Sequence, residues 1–171
     1  MPRIIRKEAL YPHPPEAVWI ALTDRHALAE WLMPNDFEPV VGRKFRFQTD
    51  PMPGCVGLTE CELLAYDPPR RMVWSWVIVP KDRNAPRHQP MTITWTLQPE
   101  GNGTRLVLEH AGAEVINWWY RFSMNMGWGT MVKRWIPKVL ANVKDGRFTP
   151  GAIPPNKRCY KMKTIPDDLT R

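Results

Sequence analysis

The sequence predicts an α+β domain in which the strands form one antiparallel sheet and a long helix follows them. Between residues 43 and 110, apolar side chains recur at every second position, which is typical of strands with one buried face. Between residues 117 and 144 they recur at helical spacing instead. Strands and helices are segregated along the chain, and this order favours α+β over a parallel α/β architecture.

The N-terminal part predicts one strand and two short helices. Residues 3–11 mix apolar and charged side chains and predict an edge strand. The sequence HPPE at residues 13–16 marks a helix start, because proline is tolerated in the first turn, where the N–H groups lack intrahelical partners. Thr23 and Asp24 predict the cap of a second short helix, which contains Trp31.

The middle of the chain predicts five or six antiparallel strands. Asn102-Gly103 predicts a hairpin turn, because this pair tolerates the positive φ angles that such turns need. The predicted strands include residues 43–48, 58–66, 72–78, 92–97 and 105–110.

The C-terminal part predicts a long helix and then a tail. The helix covers residues 117–144; Pro137 is expected to kink it and Asp145-Gly146 to end it. Residues 147–171 contain four prolines and little periodicity, and they predict an irregular basic tail on the surface. We therefore expect a folded domain over residues 1–146 and a separate tail over 147–171.

Composition limits the classes of function. The chain has 171 residues, enough for one domain, and a net charge of +7. Residues 146–171 hold six basic and two acidic side chains, so the tail carries +4 of that charge. We interpret the tail as a solvated surface, with an anionic partner as the alternative. Nucleic acid is disfavoured, because the basic residues of the tail lack interleaved aromatic residues for base stacking apart from Tyr160.

Cysteine usage and hydropathy suggest a reducing compartment. The three cysteines are an odd number without CxxC spacing, which argues against a disulfide framework and against a zinc site. The first ten residues contain no apolar segment of the signal-peptide type. No apolar run approaches the about 18 residues of a transmembrane helix. We expect a cytoplasmic protein without a membrane span, a metal or a cofactor.

Four segments occur in the order found in one known family. They are PPEAVWIALTDRHALAEWLMP at 14–34, DPPRRMVWSW at 67–76, MTITWTLQPEGNGTRLVLEHAG at 91–112 and GWGTMVKRW at 127–135. Over residues 3 to about 145 the chain resembles the Activator of Heat Shock Protein 90 ATPase homologue family, within the START-like or SRPBCC superfamily. The resemblance implies a helix-grip fold, in which a curved antiparallel sheet surrounds a long C-terminal helix and a cavity lies between them.

Strand alternation and helical spacing together predict which side chains line that cavity. His110 is the titratable group among them and could orient a ligand or transfer a proton; a hydrogen-bonded core histidine is the alternative. Rings that fill the space completely are the alternative to the cavity itself. The candidate ligand-binding residues are Trp31, Phe45, Phe47, Trp74, Trp76, Trp95, Leu108, His110, Phe122, Met126 and Trp128.

These residues favour binding of a small hydrophobic or aromatic ligand, because a concave apolar chamber is how proteins hold such molecules. No nucleophile motif is present, so no catalytic residue is assigned. Two alternatives stay open. The first is an enzyme of the polyketide cyclase or aromatase type that uses the same cavity. The second is a protein-interaction module of the chaperone ATPase-activator type. An exposed edge strand would also allow two copies to pair.

Overall fold

The sheet has six strands in the order β1-β6-β5-β4-β3-β2, and all neighbours are antiparallel. A computed structural model describes residues 3–51, 53–82 and 84–158. The predicted α+β class and antiparallel sheet are confirmed. The strands are β1 (Ile5–Tyr11), β2 (Lys44–Gln48), β3 (Cys55–Asp67), β4 (Arg71–Pro80), β5 (Met91–Glu100) and β6 (Gly103–Ala111).

Two short helices follow β1, as the sequence predicts. They are α1 (Pro15–Thr23) and α2 (Arg25–Trp31). The Asp24 carboxylate accepts the backbone N–H groups of His26 and Ala27 at 2.8 and 3.0 Å. This cap satisfies donors that the first turn of α2 cannot pair internally, and it fixes the start of the helix.

The long C-terminal helix is built from three consecutive segments. They are α3 (Trp118–Thr130), a π-helical turn (Met131–Trp135) and α4 (Ile136–Leu140). The wide turn lies directly before Pro137, where the missing N–H and the proline ring disturb regular α-helical bonding. The Tyr11 hydroxyl donates to the Val132 carbonyl at 2.5 Å and joins β1 to this turn. None of the described helices is long and apolar enough to cross a bilayer.

The chain beyond residue 146 begins as folded structure, which corrects the prediction of an irregular tail from 147 onward. Strands β7 (Val143–Lys144) and β8 (Arg147–Phe148) form a small hairpin. Phe148 and Ile153 belong to the hydrophobic core. The expected boundary after 146 therefore runs through a hairpin, and its pattern was too short to detect in the sequence. The remainder of the predicted tail, 159–171, lies outside the described residues.

Candidate functional site

Aromatic rings fill much of the concave face of the sheet. The Trp74 ring centroid lies 5.7 Å from that of Phe45, 5.6 Å from that of Phe47 and 5.6 Å from that of Trp95. The Trp95 ring in turn meets Trp31 edge-on at 5.7 Å. Such offset and edge-to-face contacts leave little empty space between rings.

Six of the residues predicted to line a cavity lie instead in the packed core. Indole and phenyl groups from neighbouring strands are large enough to touch across the sheet, and alternation alone does not reveal this. These residues are fully or almost fully buried and do not line the cavity described below: Trp31, Phe45, Phe47, Trp74, Trp95 and Leu108.

A cavity of about 280 Å³ lies beside this core, between α3 and the strand ends that face it. Its helical wall is one continuous stripe, because residues four and three apart lie on the same helix face. Its residues are Trp119, Tyr120, Ser123, Met124, Gly127, Trp128 and Met131.

The opposite wall comes from the sheet and the connections beside it. Leu32 and Met33 follow α2, and Thr49 and Pro53 lie between β2 and β3. The strands themselves contribute Cys55, Gly57, Thr59, Trp76 and Ile78. The walls are thus mostly apolar, with a few hydroxyl groups and one thiol. Of the residues predicted from the sequence, Trp76 and Trp128 lie in these walls.

Phe122 and Met126 were expected on the inner face of the helix, and this placement was wrong. Both side chains are exposed. Two stripes at helical spacing run along α3, and both contain apolar residues. The first is formed by positions 118, 122 and 126, and the second by positions 120, 124, 127 and 131. The second stripe faces the sheet across the cavity, so periodicity identified the helix but not its inner face.

Tyr120 connects α3 to the chain segment at the edge of the cavity. The Asn117 side chain caps α3 by accepting the Tyr120 backbone N–H at 2.9 Å. The Tyr120 hydroxyl donates to the Pro53 carbonyl. Burial, and then the neighbouring Cys55 thiol, raise the pKa of Tyr120, so the phenol remains a proton donor at neutral pH. The sequence analysis missed Tyr120 and Cys55; for Tyr120, the stripe 120-124-127-131 was the available signal.

His110 is completely buried behind the cavity wall and is not part of it. The Trp128 indole N–H donates to His110 Nδ1 at 2.9 Å, so the neutral ring carries its proton on Nε2. Nε2 has no partner among the described residues. Burial, and secondarily the charge of His88, lower the pKa of His110 to about 4. His110 therefore acts as a positioning residue for the Trp128 ring.

This burial predicts a measurable dependence of stability on pH. Because the folded pKa of about 4 lies below the ordinary value of 6.5, the neutral ring contributes stability above pH 6.5 that is lost as pH falls toward 4. Between about pH 8 and about pH 5, this residue should lower the free energy of unfolding by about 2 kcal/mol. Urea denaturation of wild type and His110→Asn at both values measures it.

Asparagine keeps an acceptor near the position of Nδ1 but does not titrate in this range, so His110→Asn should lose less stability on acidification than wild type. The carboxylates and the other histidines are common to both proteins and cancel in the difference. Equal losses in the two proteins would show that His110 does not resist protonation.

No group of three or more His, Cys, Asp or Glu side chains within residues 3–51, 53–82 and 84–158 is arranged to hold a metal ion.

The architecture and the sequence identify the family. A sequence model of the family described as Activator of Hsp90 ATPase homolog 1-like protein matches residues 12–141. The match spans more than half of the 171 residues. The chain belongs to this family. The resemblance found in the sequence is thereby confirmed, together with the helix-grip fold that it implied.

Several solved structures are similar to this one. Protein MLL2253 from Mesorhizobium loti is 30% identical with a TM-score of 0.70, and the match covers 83% of this chain and 99% of that one. Protein BH1534 from Bacillus halodurans is 23% identical with a TM-score of 0.63, covering 81% and 96%. DynU16, from the dynemicin biosynthetic locus, is 21% identical with a TM-score of 0.62, covering 85% and 49%. No curated protein matches the chain.

Proposed function

We propose that this protein binds a small hydrophobic or aromatic ligand in the cavity between α3 and the sheet. The observation that carries the proposal is the cavity itself: about 280 Å³ remain open beside a core that is otherwise filled with rings. Ligand pockets usually measure about 300–1,000 Å³ and are mostly apolar with a few convergent polar groups. The volume is near the lower end of that range and suits a compact ligand of one or two rings.

The walls define what such a ligand gains on binding. Burying about 200 Å² of aromatic surface contributes about 5 kcal/mol at about 25 cal/mol per Å². Association costs offset part of this, so micromolar affinity is the expected scale. Thr59 and Ser123 line the cavity, and their hydroxyls offer hydrogen bonds to a polar edge of the ligand. The Thr49 hydroxyl donates to the Asp50 carbonyl at 2.9 Å and could only accept from the ligand.

The side chains that line the cavity fit ligand binding better than they fit catalysis. A cyclase would need a titratable group that reaches the ligand. In the part of the chain that the structure describes, Cys55 and Tyr120 are the titratable residues of the wall. Tyr120 uses its hydroxyl on Pro53, and His110 lies behind Trp128 with its Nδ1 already accepting a hydrogen bond.

Gly127 offers a direct way to block the cavity. It lies in the middle of the helical stripe 120-124-127-131, and a Cβ added there meets nothing within 4 Å. We expect Gly127→Leu to occupy the cavity with its side chain and to weaken ligand binding by at least about tenfold. The measurement is native mass spectrometry of wild type with a library of apolar and aromatic fragments, followed by calorimetry of the bound fragments with both proteins.

Gly129→Leu is the matched control, because Gly129 lies on the same helix but not in the cavity wall. A Cβ at 129 meets the flexible Lys7 side chain at 3.7 Å, an ordinary contact. Both substitutions remove a helix-interior glycine, which stabilises a helix by about 0.5–1 kcal/mol, so both proteins should fold. The proposal fails if no fragment binds wild type, or if Gly127→Leu binds the fragments as well as Gly129→Leu does.

A further inference from the structure

The outer face of α3 is an exposed aromatic surface. Four large apolar side chains on it are exposed, and we call these four residues the aromatic face. They are Trp118, with 66% of its surface exposed, Trp119 (59%), Phe122 (53%) and Met126 (57%). The rings of Trp118 and Trp119 meet at 5.5 Å, and those of Trp119 and Phe122 stack at 6.1 Å. Scattered single apolar residues are normal on a protein surface, whereas a contiguous patch of large rings marks an interaction site.

The charges around the aromatic face are all of one sign along the helix. Residues 115–144 contain no Asp or Glu and five basic residues. Three of these, Lys133, Arg134 and Lys138, are exposed on the turns that follow the aromatic face. Lys133 is seven residues after Met126, in the π-helical turn that directly follows α3. The nearest acid upstream, Glu114, accepts the Arg3 backbone N–H and lies near the Arg3 charge.

We propose that the aromatic face docks on an anionic lipid surface. Indole and phenyl rings prefer the boundary between headgroups and acyl chains, where their apolar bodies leave water. Exposed lysine and arginine beside them attract acidic lipid headgroups. A helix with rings and basic side chains on one face, held in place by the rest of the fold, lies in the plane of such a surface.

The charge distribution favours this occupant over a second copy of the chain. A symmetric pair would bring together the exposed cations of the π-helical turn and α4 from both copies, on a chain whose net charge is already +7. Like charges at an interface cost free energy unless they are paired. Anionic headgroups supply the missing counter-charge, and their acyl boundary accepts Phe122 and Met126.

The aromatic face also borders the cavity, because Trp119 belongs to both. A docked molecule would hold that edge of the cavity at the lipid surface, so an apolar ligand could enter without crossing water. This last step rests on the proposed function, whereas docking itself does not.

Co-sedimentation with vesicles tests the docking. We expect wild type to bind vesicles of phosphatidylcholine with about one third phosphatidylglycerol, and to bind pure phosphatidylcholine or high-salt samples more weakly. The double variant Trp118→Ser/Phe122→Ser should lose at least about tenfold in affinity for the mixed vesicles. Gly127→Leu should bind them like wild type, so failure of ligand binding and failure of docking are distinguishable.

The matched control is Leu10→Ser/Val41→Ser, which removes two apolar side chains outside α3 that are each 58% exposed. It should bind vesicles like wild type, and circular dichroism should show that both double variants are folded. Docking is overturned if wild type does not bind the mixed vesicles, or if the two double variants bind them equally. It is also overturned if light scattering shows a dimer that Trp118→Ser/Phe122→Ser dissociates while vesicle binding is unchanged.

Discussion

Gly57→Ala should destabilise the protein by about 3–4 kcal/mol, through left-handed backbone strain and a clash with fixed carbonyl groups. Gly57 has a φ of +79°, which side-chain-bearing residues rarely adopt. A Cβ there would lie 2.3 Å from the Thr49 carbonyl oxygen and 2.7 Å from that of Asp50. The Thr49 N–H donates to the Gly57 carbonyl at 2.7 Å, so the two backbones cannot separate without losing this bond.

Gly42→Ala is the matched control, because Gly42 has a similar φ of +84° but nothing within 4 Å of an added Cβ. It should cost only the strain, about 1–2 kcal/mol. Urea denaturation of both variants measures the difference. Thr49 and Gly57 both line the cavity, so Gly57→Ala should also weaken fragment binding. Equal losses of stability in the two variants would show that the chain after β2 can move away from β3.

The order of the elements could be predicted because each carries a local signal. Alternating apolar residues defined the strands, and Asp24 defined the start of α2. Asn102-Gly103 located the β5–β6 hairpin to within one residue: the turn is Gly101-Asn102, the positive φ is at Gly101, and Gly103 already pairs with Glu100 in β6. These signals depend on neighbours a few residues apart, which the sequence displays directly. The hairpin of β7 and β8 was missed because two-residue strands show no period.

The site could be predicted only in part, because its position depends on contacts between distant residues. Alternation correctly placed Trp74 and Trp76 on the same side of β4, but Trp74 meets rings on three sides whereas Trp76 reaches the edge of the core. The volumes of the rings on other strands decide whether Trp74 or Trp76 lines the cavity. The inner stripe of α3 was missed for the same reason, since the sequence contains two apolar stripes and only contacts with distant residues decide which of them faces the sheet.

Glu30→Ala should cost about 3 kcal/mol and release the segment that follows β8. Glu30 is buried on α2, and its carboxylate accepts the backbone N–H groups of Gly151 and Ile153 at 2.6 and 2.7 Å. Arg158 lies 3.6 Å from the same carboxylate. Hydrogen bonds to a charged acceptor are stronger than neutral ones, and alanine would leave the Ile153 N–H buried without a partner. Urea denaturation measures the loss of stability.

Arg158→Gln is the matched comparison, because it leaves both hydrogen bonds that the Glu30 carboxylate accepts. It removes the long ion pair and the hydrogen bond from Arg158 Nε to the Ile153 carbonyl at 3.0 Å, so we expect it to cost about 1–2 kcal/mol. Hydrogen exchange gives a local reading: the Gly151 and Ile153 amides should lose protection in Glu30→Ala and keep it in Arg158→Gln. If those amides stayed protected in Glu30→Ala, the burial of Phe148 and Ile153, rather than the carboxylate, would be what holds this segment against α2.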